Sequence, residues 1–137
     1  MTIQSYYQMQ ITRFKHNRPV VRKALMALGC KTVACDYDGS GDEGSVHAPE
    51  YKPAIIGQSR VKNILSCRWN SKEPEPGEED IEEATHNIFY DALDQTHGGW
   101  EINDGARGEI VWNLTTDLIT IEHCAYYIEE HHTGTEL

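Results

Sequence analysis

Hydrophobic residues near the N-terminus recur at the spacing of an amphipathic helix, in two runs. The members of these runs are Ile3, Tyr7, Ile11 and Phe14, then Val20, Val21, Ala24, Leu25 and Leu28. Between the runs lies Pro19, and proline fits the first turn of a helix but not its interior. The pattern therefore predicts a helical N-terminal extension over residues 1–17, a break or kink, and a second helix that ends at Gly29.

The next two segments alternate between apolar and polar positions, as half-buried strands do. Residues 31–38 form the first of them, with Val33, Cys35 and Tyr37 on the apolar face. Residues 45–51 can return beside it, because the glycine-rich run between the two segments is typical of a turn. A β-hairpin is therefore predicted directly after the N-terminal helices.

A third strand is predicted over residues 60–70, although Asn63 interrupts its alternation. Its inward residues are predicted to be Val61, Leu65, Cys67 and Trp69. The charged segment 71–79 follows, and its two prolines and one glycine predict a surface loop.

The strongest helical pattern begins at Ile81, after three acidic residues that suit the positive N-terminus of a helix. It ends near His97, where two glycines follow. Residues 109–114 and 118–127 then predict a second hairpin, in which one of His123 and Cys124 must point into the core. The order α-β-β-β-α-β-β, without alternating βαβ units, predicts an α+β fold: an antiparallel sheet of four to five strands with two main helices on one face.

The length of the chain, 137 residues, is typical of a single domain. No stretch approaches the roughly 18 consecutive apolar residues of a membrane span, and the N-terminus lacks the pattern of a secretory signal. The four cysteines contain no CxxC pair, which favours reduced thiols. We therefore expect one α+β domain over residues 1–137 that stays in the cytoplasm and does not enter a membrane.

The formal net charge of −10 argues against direct binding to nucleic acid, which needs clustered Lys and Arg. Residues 1–72 hold 11 basic and 5 acidic residues, a net +6, whereas residues 73–137 hold 1 basic and 17 acidic residues, a net −16. Either the two halves face each other across the fold, or the acidic half exposes an anionic surface that attracts a basic protein partner. A solvated surface that only keeps the protein soluble is the third interpretation.

The first segment with candidate chemistry is the glycine- and aspartate-rich run 36–44. Its predicted binding residues are Asp38, Gly39, Gly41, Asp42 and Gly44. The run opens like a calcium loop, but Glu43 and His47 stand where an EF-hand has an apolar residue and a bidentate glutamate. A β-hairpin whose glycines take positive φ and whose aspartates cap the backbone is the alternative.

The second segment, residues 97–109, is longer than a helix-to-strand connection usually is. Its predicted binding residues are His97, Trp100, Glu101, Asn103, Asp104, Gly105, Gly108 and Glu109. A loop that exceeds its structural need is often functional. The alternative is that Trp100 packs on the core while the acidic residues are merely solvated.

If the two segments meet at one end of the sheet, their carboxylates form an oxygen-rich pocket that suits a divalent cation. The predicted ligands are Asp38, Asp42, Glu101 and Asp104. Paired carboxylates also serve as acid and base in hydrolases, so a metal-dependent hydrolase is one alternative function. The sequence contains no Walker loop, nucleophile elbow or dinucleotide fingerprint, and no other cofactor is predicted.

Both segments match motifs of a known family. One motif is a Tyr/Phe-Asp-Gly-x-Gly-Asp-Ser-Gly turn, and the other is a His-x-Gly-Trp-Glu-Asn-Asn-Asp/Glu-Gly-Ala-Tyr-Gly-Asp/Glu segment. The matching positions are Tyr37, Asp38, Gly39, Gly41, Asp42 and Gly44, then His97, Gly99, Trp100, Glu101, Asn103, Asp104, Gly105, Ala106, Gly108 and Glu109. Over most of residues 20–127 the chain thus resembles a family of uncharacterised bacterial proteins, catalogued as a domain of unknown function. The resemblance implies an origin on a bacterial mobile element or phage.

Several positions depart from the pattern of that family. Glu43 stands where the family has Ser, Ile102 where it has Asn, and Arg107 where it has an aromatic residue. Past Ile121 the Asn-Glu-Arg-Tyr ending of the family is reduced to Cys-Ala-Tyr-Tyr. If those family residues form an active site, this chain has lost or changed it, and the family itself brings no established reaction.

Three functions follow from the sequence. The favoured one is an acidic protein-binding or regulatory module, in which the acidic half and Trp100 bind a basic protein partner, as inhibitors that imitate nucleic acid do. The alternatives are the metal-dependent hydrolase and a structural homodimer subunit whose loops build an interface.

Overall fold

A computed structural model describes residues 3–40, 43–55, 59–66, 74–96, 106–125 and 131–137. The elements in chain order are α1 (Ile3–Ala27), β1 (Thr32–Ser40), β2 (Glu43–Val46), β3 (Glu50–Lys52), β4 (Arg60–Ser66), β5 (Glu75–Asp80), α2 (Ile81–Thr96), β6 (Ala106–Asn113), β7 (Leu118–Ala125) and β8 (His131–Glu136). Neither of the helices described is long and apolar enough to cross a lipid bilayer.

Helix α1 runs from Ile3 to Ala27 with Pro19 inside it, so the predicted break is wrong. Side chains on both sides of the proline bind other elements and hold the helix in place. Asn17 exchanges two hydrogen bonds of 2.9 Å with the backbone of Leu65, and Arg22 donates to the carbonyl of Leu114 at 2.7 Å. These tertiary contacts offset the cost of a proline within a helix, which a periodicity pattern does not include. The predicted end of the helix at Gly29 is confirmed, since Gly29 takes the positive φ of 86° that follows many helices.

The main sheet has the strand order β2-β1-β6-β7-β8, and β3 also pairs with β1 beside β2. All of its pairings are antiparallel. This confirms the predicted α+β fold, with six strands where four to five were expected. The predicted second strand of the first hairpin is divided into β2 and β3, and β8 was not predicted at all.

One face of the main sheet carries the hydrophobic core. Opposed residues across adjacent strands share a face, and Cys35, Ile110 and Ile121 form one such buried row. Phe89 of α2 meets Trp112 of β6 edge to face, with ring centroids 6.4 Å apart. Buried inward residues of the main sheet include Val33, Cys35, Tyr37, Val46, Ala106, Ile110, Trp112, Ile119, Ile121 and His123. The predicted helix from Ile81, the second hairpin and an inward position for one of His123 and Cys124 are thereby confirmed.

Strands β4 and β5 form a separate two-stranded sheet that packs against the helices. The predicted loop is therefore wrong over residues 75–79, which belong to β5, and residues 71–73 lie outside the described part of the chain. Proline and glycine are tolerated here because β5 has one strand partner only.

A β-bulge at Asn63 changes which residues of β4 face inward. Asn63 has a φ of 63°, and the pairing register with β5 shifts between Lys62 and Ile64. As a result Val61 and Ile64 are buried, and Leu65, predicted to be inward, is only partly buried. The positions of Cys67 and Trp69 lie outside the described residues.

Three ion pairs connect the basic half of the chain to its acidic half. They are Arg13–Asp91, Arg18–Asp117 and Arg60–Glu78. The first is buried, whereas the other two are partly or largely exposed. The uneven charge distribution therefore reflects, in part, two halves that face each other across the fold.

Candidate functional site

The two glycine-rich segments are anchored at the same end of the main sheet. Strand β1 carries the first segment up to Ser40, which pairs with Glu43 at the start of β2. Gly39 pairs with Ala106, the first described residue of the second segment. The described parts of the two segments are thus neighbours, although the segments are far apart in sequence.

Most of the predicted site residues of these segments lie outside the described part of the chain. They are Gly41, Asp42, His97, Trp100, Glu101, Asn103, Asp104 and Gly105. Of the four predicted metal ligands, only Asp38 is described. Over the described ranges, no group of three or more His, Cys, Asp or Glu side chains is arranged to hold a metal ion.

The described part of the first segment is a β-hairpin. Asp36 and Asp38 occupy alternate positions of extended strand β1, and both are exposed on the outward face. The carboxylate of Asp38 lies 3.5 Å from Nε2 of His47. The described residues of the segment are thus paired as two strands and are not curled into the oxygen cage of an EF-hand.

Gly108 lies between two aromatic side chains that the sequence did not single out as site residues. Tyr37, Gly108 and His123 are directly opposed on β1, β6 and β7. The Tyr37 hydroxyl passes over Gly108 and lies 2.5 Å from Nδ1 of His123, and the two rings stack at 19°. A Cβ at Gly108 would collide with the hydroxyl of Tyr37 and with the carbonyl oxygen of Glu122. Gly108 thus lacks a side chain because Tyr37 crosses it.

The Tyr37–His123 contact is a buried polar pair next to the glycine-rich segments. Tyr37 is 1% exposed and His123 is 9% exposed. Either the phenol donates its proton to Nδ1 or the imidazole donates to the phenol oxygen, so the pair can hold a proton in two positions. The sequence indicated this pair only weakly. Tyr37 was part of the family motif, and His123 was predicted only as one of two residues of which one must point into the core.

The outward face of the main sheet is exposed and predominantly acidic. Asp36 is opposed to Glu109, and Glu109 is opposed to Glu122, so three carboxylates follow one another across β1, β6 and β7. All three residues are exposed. We call Asp36, Glu109 and Glu122 the carboxylate row. Like charges directly opposite each other destabilise a sheet, which makes such a row unusual as a purely structural arrangement.

The charges around the carboxylate row have the same sign. The exposed outward acidic residues of the described strands are Asp36, Asp38, Glu50, Glu109, Glu122 and Glu136. The outward basic residues of those strands are Lys52 and Arg107. Six carboxylates against two cations leave this face anionic, and both halves of the chain contribute to it. Of the predicted site residues, Asp38 and Glu109 lie here; Asp36 and Glu122 were missed because strand register cannot be read from the sequence.

A second acidic feature lies at the N-terminus of α2. A cavity of about 410 Å³ there is lined by Ala48, Pro49, Asp80, Glu82, Glu83 and His86. Nε2 of His86 lies 2.8 Å from the carbonyl oxygen of Val46, which fixes the ring beside β2. The acidic residues of this cavity form a second anionic surface, with which the carboxylate row can be compared.

Cys30 and Cys35 are not reactive groups. Both are buried free thiols. Burial raises the pKa of both, that of Cys35 to about 12, with further increases for Cys35 from Asp36 and Glu109. Both therefore remain protonated thiols at neutral pH.

Comparisons with known proteins identify a family but no characterised relative. No curated protein and no solved structure matches the chain. The sequence predicted a family of unknown function over most of residues 20–127, and the matched region is longer. The chain belongs to the family of unknown function DUF6878, whose family model matches residues 13–136.

Proposed function

We propose that this protein is an acidic binding module that recruits a basic protein partner through the outward face of its main sheet. It acts as a regulator or inhibitor rather than as an enzyme. A cytoplasmic location and an origin in a bacterial mobile element or phage are part of this proposal. The observation that carries the proposal is the carboxylate row, which lies on a sheet face that neither helix covers.

The electrostatics of the fold support a basic partner. Asp36, Glu109 and Glu122 lie on adjacent strands, which are about 4.8 Å apart, so their mutual repulsion favours any cation that approaches. Three arginines that could neutralise acidic side chains are engaged in the ion pairs Arg13–Asp91, Arg18–Asp117 and Arg60–Glu78. An anionic face of this kind speeds association with a basic partner and selects against acidic ones.

Neutralising the carboxylate row is expected to weaken binding of a basic peptide. We expect the triple variant Asp36→Asn, Glu109→Gln, Glu122→Gln to bind an arginine-rich peptide about tenfold more weakly, since exposed ion pairs contribute roughly 0.2–1 kcal/mol each. The measurement is titration calorimetry at low salt, repeated at high salt to follow screening.

The matched control removes three negative charges elsewhere, with Glu78→Gln, Glu82→Gln and Glu83→Gln on β5 and α2. It leaves the total charge equal to that of the first variant, so it tests position rather than net charge. An equal loss of affinity in both variants would show that the peptide responds only to net charge, and the proposed surface would be rejected.

The metal-dependent hydrolase is the second candidate function. It is favoured by the pairing of Gly39 with Ala106, which brings together the described parts of the two segments that hold the predicted ligands. A bound ion stabilises the folded state by about 2.7 kcal/mol at a concentration one hundred times its Kd. Under this alternative, magnesium, manganese or calcium raises the melting temperature, and Asp38→Asn reduces the rise. A melting temperature that no ion changes would remove this alternative and leave the binding module.

A further inference from the structure

Three ionisable side chains are buried where α1, α2 and β5 meet. Asp91 is 1% exposed, and Arg13 and Glu79 are each 8% exposed. Arg13 donates from Nε to Oδ2 of Asp91 at 2.8 Å and from Nη2 to Oδ1 at 2.5 Å. This bidentate geometry gives Asp91 a matched cation.

Glu79 has a much poorer environment than Asp91. Its Oε2 accepts a hydrogen bond of 3.0 Å from the side-chain amide of Asn87. Its Oε1 is buried and has no hydrogen-bond partner among the described residues. A buried carboxylate with one neutral donor is costly when it is ionised and much less so when it carries a proton.

The charged groups around Glu79 are mostly acidic. Glu83 and Asp91 approach it from α2, and Arg13 approaches it from α1. On the neighbouring strand β4 the opposed residue is the apolar Val61. Burial raises the pKa of Glu79, Glu83 and Asp91 raise it further, and Arg13 and Asn87 lower it without cancelling the increase.

Glu79 belongs to a two-stranded sheet that is distinct from the main sheet. Over the described residues the β4–β5 hairpin pairs with no strand of the main sheet, and a two-stranded hairpin is at best marginally stable alone. Its contacts with α1 include the reciprocal hydrogen bonds of Asn17 with Leu65 and the 2.8 Å contact of His16 Nε2 with the carbonyl oxygen of Asn63. The inward side chains of β4 are buried against the helices. The hairpin therefore depends on docking, and Glu79 lies in the docked interface.

We propose that the β4–β5 hairpin is a pH-responsive element in which protonated Glu79 keeps the hairpin docked on the helices and ionised Glu79 releases it. In the open state Glu79 is solvated and loses its proton at a lower pH than in the docked state. Between these two pKa values the docked state binds more protons, so raising the pH shifts the equilibrium toward the open state, by up to about tenfold per pH unit. Docking is strongest below the open-state pKa and weakest above the docked-state pKa.

Hydrogen exchange of the hairpin amides tests this proposal directly. Exchange is followed by NMR in steps of about one unit from about pH 4.5 to about pH 7.5, and the rates are corrected for the pH dependence of intrinsic exchange. In the wild type, protection of β4 and β5 falls by up to about tenfold per unit through the titration of Glu79, in addition to the fall that Asp91 causes in global stability and therefore in the protection of β6 and β7. In Glu79→Gln, which keeps an acceptor for Asn87 but cannot ionise, hairpin protection is high and falls with pH no more steeply than the protection of β6 and β7.

Glu78→Gln is the matched control, because Glu78 is the neighbouring residue of β5 but its side chain is 46% exposed and paired with Arg60. This variant should behave like the wild type. The proposal is overturned if Glu79→Gln retains the pH dependence of the wild type, which would assign it to another group such as Asp91, whose pKa is raised by burial. It is equally overturned if wild-type protection does not change with pH, or if hairpin and main sheet lose protection to the same extent.

Discussion

Replacing Gly108 with alanine is expected to destabilise the fold by about 3 kcal/mol or more. The new Cβ would lie within the van der Waals radii of the Tyr37 hydroxyl and the Glu122 carbonyl oxygen. Tyr37 is 1% exposed and its ring lies against that of His123. It can therefore move away from Gly108 only if the packing of β1, β6 and β7 is disrupted. The expected result is a large decrease in the free energy of unfolding, measured by denaturant titration.

Gly134→Ala in β8 is the control for this substitution. Its Cβ would approach only the side-chain carboxyl group of Glu122, at 3.5 Å or more, which is ordinary contact. We expect a change within about 0.5 kcal/mol. Equal tolerance of Gly108→Ala and Gly134→Ala would show that the Tyr37 side chain does not cross Gly108. The contact between Tyr37 and His123 would then be rejected as well.

Asp91→Ala is the substitution with the second large expected effect, a loss of about 3–5 kcal/mol. Burial raises the pKa of Asp91 to about 6, and the hydrogen bonds and charge of Arg13 oppose the increase. Removing one partner of a buried ion pair costs more than the pair as a whole contributes. The loss arises because the substitution leaves the buried guanidinium of Arg13 without its bidentate carboxylate. The free energy of unfolding at neutral pH is the measurement.

Two further variants show how much of the loss in Asp91→Ala arises from the burial of the ion pair and how much from the charge left on Arg13. Glu78→Ala breaks an ion pair whose side chains are 60% and 46% exposed, and should cost no more than about 1 kcal/mol. The double variant Arg13→Met, Asp91→Leu removes both charges and should be less destabilising than Asp91→Ala alone. A double variant as unstable as the single one would attribute the loss to packing instead of to an uncompensated charge.

Much of the secondary structure was predictable because it depends on local patterns. Helix α2 follows from apolar residues at helical spacing after acidic residues, and β6 and β7 follow from alternation on either side of a short turn. The errors occurred where tertiary contacts override a local rule. Helix α1 continues through Pro19 because neighbouring side chains bind distant elements, and Glu75–Asp80 is a strand because β4 lies beside it.

The candidate site was predictable only in part. Motifs and alternation predicted the residues of interest on two segments and the outward positions of Asp36 and Asp38 in a strand. It did not indicate that Glu109 lies between Asp36 and Glu122, because each pairing depends on strand order and register. The bulge at Asn63 is a similar case, since one inserted residue changes which side chains of β4 are buried.

By itself the sequence determined the α+β class, the main helices and hairpins, and an excess of acidic residues, because periodicity and composition are properties of neighbouring positions. Only the tertiary structure decided which of those acids share a face, why Gly108 carries no side chain, and that Oε1 of Glu79 is buried with no hydrogen-bond partner among the described residues. Those features arise from groups brought together by strand pairing and helix packing, at separations along the chain that no local pattern encodes.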